Sequence, residues 1–156
     1  MTGPNEDGRS LGFNPSASST LADLQMYADD HPVIASLDVT LESLEDGILT
    51  ATIPYNDAFA NPGMDGTYHG GIVVTMLDTV MGLAISGTVA ADDSKLSGPT
   101  ITLTTHFHDT STEGFEVIGE VVRIGSSSAF VEGRVLSRES NALLATAECH
   151  WRIYDR

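Results

Sequence analysis

The sequence predicts an α+β protein in which a curved antiparallel sheet of about six strands wraps one long central helix. The stretch from Gly70 to Ala91 is apolar on every side of a helix, which is typical of a helix buried all round. A helix and two strand-like segments precede that stretch, and four strand-like segments follow it. A sheet that curves around the helix explains both observations.

Each element has a local signal. The first helix follows Ser19 or Thr20, both good N-cap residues, and Pro32 stops its apolar pattern. Alternating apolar and polar residues indicate the strands, and turn residues such as Asp46-Gly47 separate them. The predicted order is a helix over 21–31, strands over 37–42 and 48–54, a loop over 56–68, the long helix, a polar connector over 92–99, and strands over 100–108, 115–124, 129–138 and 143–154.

The length of 156 residues suits one domain with its own core. We expect that domain to cover 20–156, after a flexible arm over 1–19 that is rich in Gly, Pro, Asn and Ser. The arm lacks the basic start and apolar stretch of a secretion signal, and no segment is expected to span a membrane, so we expect a cytoplasmic protein. The single cysteine, Cys149, excludes an internal disulfide.

The charge is strongly negative, with 22 acidic residues against 7 basic ones and a net charge of −15. Such a surface repels nucleic acid and anionic membranes, so we expect neither as a partner. It also repels free polyanions unless salt screens the field. An acidic, lysine-poor chain suits high ionic strength, and we therefore expect a halophilic source; an acidic protein from a mesophile is the alternative.

The segment His69-Gly70-Gly71 stands at the start of the central helix. The first amides of a helix have no partner within it and carry the positive end of its dipole. Glycines let another group approach that backbone closely. These amides could therefore stabilise an oxyanion. A tight turn into the helix is the simpler interpretation.

Asp78 lies in the middle of the apolar helix. A carboxylate there is expected to be paired or to face a cavity, and a general base or nucleophile has this kind of setting. A structural hydrogen bond to a neighbouring element is the alternative. Gly70 and Asp78 are eight residues apart, about 12 Å along a helix. Both can act on one carbonyl only from two different helices, which predicts a two-fold dimer with sites at the interface.

The segment from His69 to Ala84, His-Gly-Gly-Ile-Val-Val-Thr-Met-Leu-Asp-Thr-Val-Met-Gly-Leu-Ala, resembles the PaaI-like hotdog-fold thioesterases. The resemblance in element order extends over 20–154. It implies the hotdog fold and hydrolysis of acyl-CoA thioesters without a metal or an organic cofactor. It also implies homodimers that often pair into homotetramers.

The resemblance assigns a role to several residues. Asp78 would be the general base or the nucleophile, and the Gly70 amide of the opposite subunit would be the oxyanion donor with His69 beside it. Thr100 matches a position that orients the water or the carboxylate.

The family's amide side chain falls on Gly63 here, six residues before His69. Either Asn61 fills that role through a two-residue insertion, or Asp65 or water replaces it. We favour Asn61.

The resemblance implies that Gly71 contacts the substrate and that the nucleotide end of coenzyme A lies near the loop Gly125-Ser126-Ser127. Relatives often place a basic residue near that loop; here serines and backbone amides can hold the phosphates, with Arg123 nearby and Arg134 and Arg138 as further candidates. The difference leaves open whether the carrier is coenzyme A or an acyl carrier protein.

Two other classes of function remain as alternatives: a non-catalytic acyl-CoA binding module, and a hotdog dehydratase or hydratase. A metal site is not expected. His106 and His108 share one strand face and His150 could join them, but ordinary strand histidines explain all three.

Overall fold

The structure, a computed structural model, describes residues 20–92 and 94–156; the predicted arm over 1–19 lies outside them. Helix α1 (Leu21–Asp30) begins after Thr20, as the sequence predicts. The Thr20 hydroxyl accepts from the Asp23 amide at 3.3 Å, and the Asp23 carboxylate accepts from the Thr20 amide at 2.6 Å. This capping box pairs two amides and fixes the start of the helix.

A short helix, α2 (Pro32–Ala35), follows at once. From the sequence, Pro32 is expected only to end α1. Proline is also well suited to the first position of a new helix, because its missing N–H has no intrahelical acceptor there. Ile34 is buried and attaches this turn to the core.

The central helix, α3 (Gly70–Val89), is 20 residues long. Its residues from Met76 onward are mostly buried, whereas the turns from Gly70 to Thr75 are partly exposed. By length and composition α3 is apolar enough to cross a membrane, so the expectation that no segment reaches that threshold is wrong. Most of the helix is instead buried inside the protein, as in the core helix of a globular fold.

Six antiparallel strands surround α3, as predicted. Their order across the sheet is β1-β2-β4-β5-β6-β3. The strands are β1 (Thr40–Glu45), β2 (Ile48–Ile53), β3 (Lys95–Phe107), β4 (Phe115–Ile124), β5 (Ser128–Ser137) and β6 (Leu143–Asp155).

The helix presses closely on the sheet at Met81. A Cβ on Gly119 of β4 would lie 3.0 Å from the Met81 Cα, and one on Gly133 of β5 would lie 2.8 Å from the Met81 Sδ. Both strands use glycine because a larger residue would push the helix away. This contact holds α3 against the middle of the sheet.

Two predicted boundaries are wrong. Strand β1 starts at Thr40 rather than at residue 37, and β3 starts at Lys95 rather than after Pro99. Proline was read as part of a connector because it cannot donate to a sheet ladder. Strand β3 tolerates it because β3 lies at the sheet edge and its pairing with β6 is irregular between Ser97 and Thr100.

Candidate active site

The carboxylate of Asp78 is held by a threonine on the neighbouring strand. Thr100 Oγ1 donates to Asp78 Oδ1 at 2.7 Å, which joins edge strand β3 to the middle of α3. Asp78 is half-buried in the single chain rather than fully enclosed. It meets both conditions that the sequence sets for a mid-helix carboxylate, because it is paired and it lies in the wall of a cavity.

That cavity has a volume of about 540 Å³ and runs along one face of α3. Among the described residues that line it, Asp78 has the only acidic or basic side chain apart from the imidazole of His31. The remainder of the wall comes from α1, α2, β3 and β6. The residues that line it from these elements include Tyr27, Val33, Ile34, Ser97, Pro99, Trp151 and Tyr154.

At the start of α3 the Gly71 amide has a hydrogen-bond acceptor, whereas the Gly70 amide has none among the described residues. His69 is the N-cap, and its Nδ1 accepts from the Gly71 amide at 2.9 Å. Nδ1 must be unprotonated to accept, so a neutral His69 carries its proton on Nε2. The Gly70 amide donates to no acceptor in the part of the chain that the structure describes. Gly70 is therefore the available donor at this helix terminus.

A second cavity of about 180 Å³ adjoins Gly70. The ring of Phe107 covers the glycine, since a Cβ on Gly70 would lie 3.3 Å from the Phe107 Cζ. Phe107 is itself 56% exposed. Gly70, whose amide has no acceptor among the described residues, thus lines a small cavity beside the exposed Phe107 ring.

Asn61 lies next to this helix terminus. Its Nδ2 donates to the Tyr68 carbonyl at 3.2 Å, and its backbone amide donates to the Thr67 carbonyl at 2.8 Å. The structure therefore brings Asn61 to the residue before His69. Asp65, the other candidate for the family's amide position, is exposed in the same loop. The role of Asn61 stays a prediction.

Gly70 and Asp78 belong to one continuous helix. They are separated by about 12 Å of helix rise, so a single chain cannot bring them to one carbonyl. The structure thus unites Asp78 with Thr100, and His69 with Gly70 and Asn61, as two separate half-sites.

The predicted nucleotide-binding loop does not line the cavity at Asp78. It forms the turn between β4 and β5, where the Gly125 amide donates to the Ser128 carbonyl at 2.8 Å. Ser126, Ser127 and Arg123 are exposed there. Their roles, like that of Gly71, stay predictions.

Cys149 is not a nucleophile in this site. Its side chain is buried on β6, and burial, assisted by the nearby charge of Asp78, raises the pKa of the thiol to about 12. The thiolate is the reactive form, so Cys149 is inert near neutral pH. Within residues 20–92 and 94–156, no group of three or more His, Cys, Asp or Glu side chains is placed to hold a metal ion.

Sequence reasoning missed much of the cavity wall. Met76 and Met81 are fully buried in the core, and neither they nor Phe59 line this cavity. The indole of Trp151, which lines the cavity, lies against Gly82 and donates to the Gly98 carbonyl. Gly82 lies one turn after Asp78 on the same face of α3. In the sequence, this glycine was the signal that a large side chain packs against that face.

A family model of the thioesterase superfamily matches residues 65–143, a range that contains both half-sites except for Asn61. The chain belongs to the thioesterase superfamily. The long helix and the six-stranded antiparallel sheet around it are the hotdog fold of that superfamily.

One relative by sequence and several solved structures are also similar to this chain. A candidate esterase of Halobacterium salinarum is 32% identical over 136 residues, which cover 84% of this chain and 85% of that protein. Among solved structures, a thioesterase from Haemophilus influenzae has a TM-score of 0.76 at 16% identity, with 88% of this chain and 92% of that chain covered. The Escherichia coli PaaI protein from the phenylacetic acid degradation operon has a TM-score of 0.69 at 14% identity, with 82% and 87% covered. At these identities the two structures show the shared fold alone.

Proposed function

We propose that this member of the superfamily hydrolyses acyl-CoA thioesters to a free acid and coenzyme A. The observation that carries the proposal is the Asp78 carboxylate, held at 2.7 Å by Thr100 in the wall of a cavity large enough for an acyl group. Thr100 occupies Oδ1 and leaves Oδ2 to act on water or on the thioester carbonyl.

Asp78 can serve in two ways. As a general base it takes a proton from a water that attacks the carbonyl; as a nucleophile it forms an anhydride that water then opens. A single turnover in heavy-oxygen water detects an anhydride that water opens at the Asp78 carbonyl. If water opens an anhydride at the Asp78 carbonyl, heavy oxygen remains in the Asp78 carboxylate and the released acid carries an oxygen from Asp78; if water attacks the acyl carbonyl, the acid carries solvent oxygen instead. General base catalysis places solvent oxygen in the acid from the first turnover.

The second half-site comes from a partner subunit. In this proposal the Gly70 amide of one chain stabilises the oxyanion that forms beside Asp78 of the other. His69 supports Gly70 by capping the next amide, and Asn61 lies beside it. The chain has a suitable surface, because β3 is an edge strand with an exposed Ile101 and the apolar residues Ile72 and Val73 of α3 are only partly buried. We infer a homodimer joined along β3 and α3, able to pair further into a tetramer.

The leaving group is coenzyme A in this proposal. Ser126, Ser127 and the Gly125 turn offer hydroxyls and amides to its phosphates, and Arg123 offers a positive charge. The net charge of −15 disfavours an acidic carrier protein as the alternative donor. The same charge predicts that acyl-CoA binds better as salt screens the surface.

The direct test is thiol release from a series of acyl-CoAs at high salt. The wild type should release coenzyme A, and Asp78→Asn should lose at least about 100-fold in kcat. If the wild type binds acyl-CoA and releases no thiol, it is a binding module. If Asp78→Asn is as active as the wild type, the assigned mechanism is wrong. If a 3-hydroxyacyl-CoA loses water instead, the chain is a dehydratase.

The shared site has its own test. Gly70→Pro removes the amide proton at a helix position that accepts proline, whereas Gly70→Ala keeps the amide and serves as the steric control. Gly70→Pro and Asp78→Asn should each be inactive alone. After unfolding and refolding together in equal amounts, about one quarter of the sites should be intact, because half the dimers are mixed and each has one good site. No recovery from two dimeric variants would exclude a site built from both subunits.

A further inference from the structure

The cavity at Asp78 extends well beyond the space that a thioester carbonyl needs. Asp78, Gly82 and Ser86 all line it, and they follow one another at four-residue steps on one face of α3. Ser86 lies two turns beyond Asp78, about 12 Å along the helix. The cavity is therefore an elongated channel that begins at the carboxylate.

Apart from Asp78 and His31, the described residues that line the channel carry no acidic or basic side chain. The Trp151 indole is fixed from two sides: a Cβ on Gly82 would lie 2.6 Å from its Cη2, and its Nε1–H donates to the Gly98 carbonyl. Tyr154 and Pro99 continue the wall from the sheet. A charged group would be desolvated here without a partner, so the channel suits a neutral chain.

The far end of the channel is polar. Ser86 Oγ and Ser97 Oγ are 2.8 Å apart, and the two residues are only 6% and 5% exposed. Each hydroxyl has one proton and two lone pairs, so their mutual bond uses only one of the two protons. The other proton finds no acceptor among the described residues. A buried donor without an acceptor costs free energy that a ligand oxygen would recover.

One polar atom elsewhere in the wall lacks a hydrogen-bond partner among the described residues. The Nδ1 of His31 is buried and makes no hydrogen bond within the described residues. His31 lies on the α1–α2 side of the channel, opposite the sheet residues. A ligand group that can both donate and accept, such as a hydroxyl, suits a channel that offers one spare serine hydroxyl proton and one unpaired imidazole nitrogen.

We propose that the channel receives the acyl group of the substrate and that the Ser86–Ser97 pair selects a neutral acyl chain with a hydroxyl near its far end. The proposal rests on the function proposed above, which places the thioester carbonyl at Asp78. A saturated chain covers about 12 Å with roughly ten carbon atoms, given C–C bonds of about 1.5 Å in a zigzag. The preferred substrate class is therefore a medium-chain ω-hydroxyacyl thioester.

The test compares decanoyl-CoA with ω-hydroxydecanoyl-CoA, using the full chain at high salt. We expect kcat/KM to be roughly tenfold higher for the hydroxylated substrate, since one neutral hydrogen bond in a buried site has about that effect. Ser86→Ala and Ser97→Ala should each remove this preference, so that kcat/KM no longer differs between the two substrates. Ser137→Ala is the matched control, because Ser137 is equally buried at 2% exposure and does not line the channel.

Binding to Asp78→Asn, measured by calorimetry with the same two thioesters, separates this proposal from the proposed function. A hydroxyl preference in binding that Ser86→Ala removes would support the channel even if no thioester is hydrolysed. Hydrolysis of both substrates with equal efficiency, or a preference that both serine variants retain, would overturn the channel and leave the thioesterase standing. Binding of neither thioester would overturn both.

Discussion

Thr100 Oγ1 donates to Asp78 Oδ1 at 2.7 Å, which ties the edge strand of the sheet to the middle of the central helix. Thr100 lies opposite Trp151 in the ladder, so the same stretch of β3 also supports the channel wall. A single hydroxyl thus fixes which carboxylate oxygen of Asp78 stays available.

The first prediction concerns that hydroxyl. Thr100→Val keeps the shape of the side chain and removes the donor, so Asp78 can rotate away from its reactive position. We expect kcat for acyl-CoA hydrolysis to fall by about 10- to 100-fold, the usual cost of a misplaced catalytic group, with a smaller change in KM. Thr100→Ser should restore most of kcat. Equal activity of the valine variant would show that Thr100 does not position Asp78.

The second prediction uses Gly82 and Trp151. Alanine is favoured over glycine inside a helix by about 1 kcal/mol, but a Cβ at position 82 would lie 2.6 Å from the Trp151 Cη2. The clash with Trp151 outweighs the gain in helix propensity, so Gly82→Ala should lower the free energy of unfolding by about 1–3 kcal/mol. In the double variant with Trp151→Phe, which removes the clashing ring atoms, the loss should be smaller than the sum of the single losses. Denaturant unfolding of the four proteins measures this coupling, and strict additivity would contradict the contact.

The third prediction follows from the row of glutamates on the outer face of the sheet. Glu132 of β5 lies directly opposite Glu120 of β4 and Glu148 of β6. Like charges paired across strands destabilise a sheet, so Glu132→Gln should raise stability by about 0.5 kcal/mol at low salt. The gain should vanish near 1 M KCl, where the Debye length is about 3 Å.

Glu139→Gln is the control for that row, because it removes the same charge from the turn after β5. Thermal melts across a KCl series should show the wild type gaining stability with salt. A wild type that gains nothing would remove the support for a halophilic origin, and equal gains from both variants would trace the effect to net charge rather than to the row.

The fourth prediction concerns pH. The pKa of Cys149 is raised to about 12 in the folded protein, first by burial and second by the charge of Asp78. The unfolded thiol ionises at its ordinary, lower value, so the unfolded state loses its proton first as pH rises. Stability should therefore be unaffected by this group below pH about 8.5 and fall as pH rises from there toward 12.

Cys149→Ala should flatten that alkaline decline in urea unfolding. A thiol reagent at pH 8 should modify the native wild type slowly and the urea-unfolded chain rapidly. Rapid modification of the native protein would show that Cys149 is accessible and ionised.

Local signals predicted most of the fold. Thr20 with Asp23 starts α1, Asp46 and Gly47 adopt the positive φ that their hairpin turn needs, and the apolar run after His69 forms α3. These features depend on neighbours within a few residues, so the sequence alone carries them. The start of β3 was missed because Pro99 is compatible with a strand only at a sheet edge, and edge position is a property of the assembled sheet.

The sequence alone determined the two half-sites, which are the glycine pair at the start of α3 and Asp78, eight residues after Gly70. At that spacing the two cannot act on the same substrate carbonyl from one helix. The channel was decided by the tertiary structure alone. Its walls combine Tyr27, Ser97 and Trp151, which come from three distant parts of the chain. Periodicity reports which face of one element is apolar, whereas a cavity depends on how several elements pack against one another. For that reason the Ser86–Ser97 pair and the packed indole of Trp151 could be identified only from the tertiary structure.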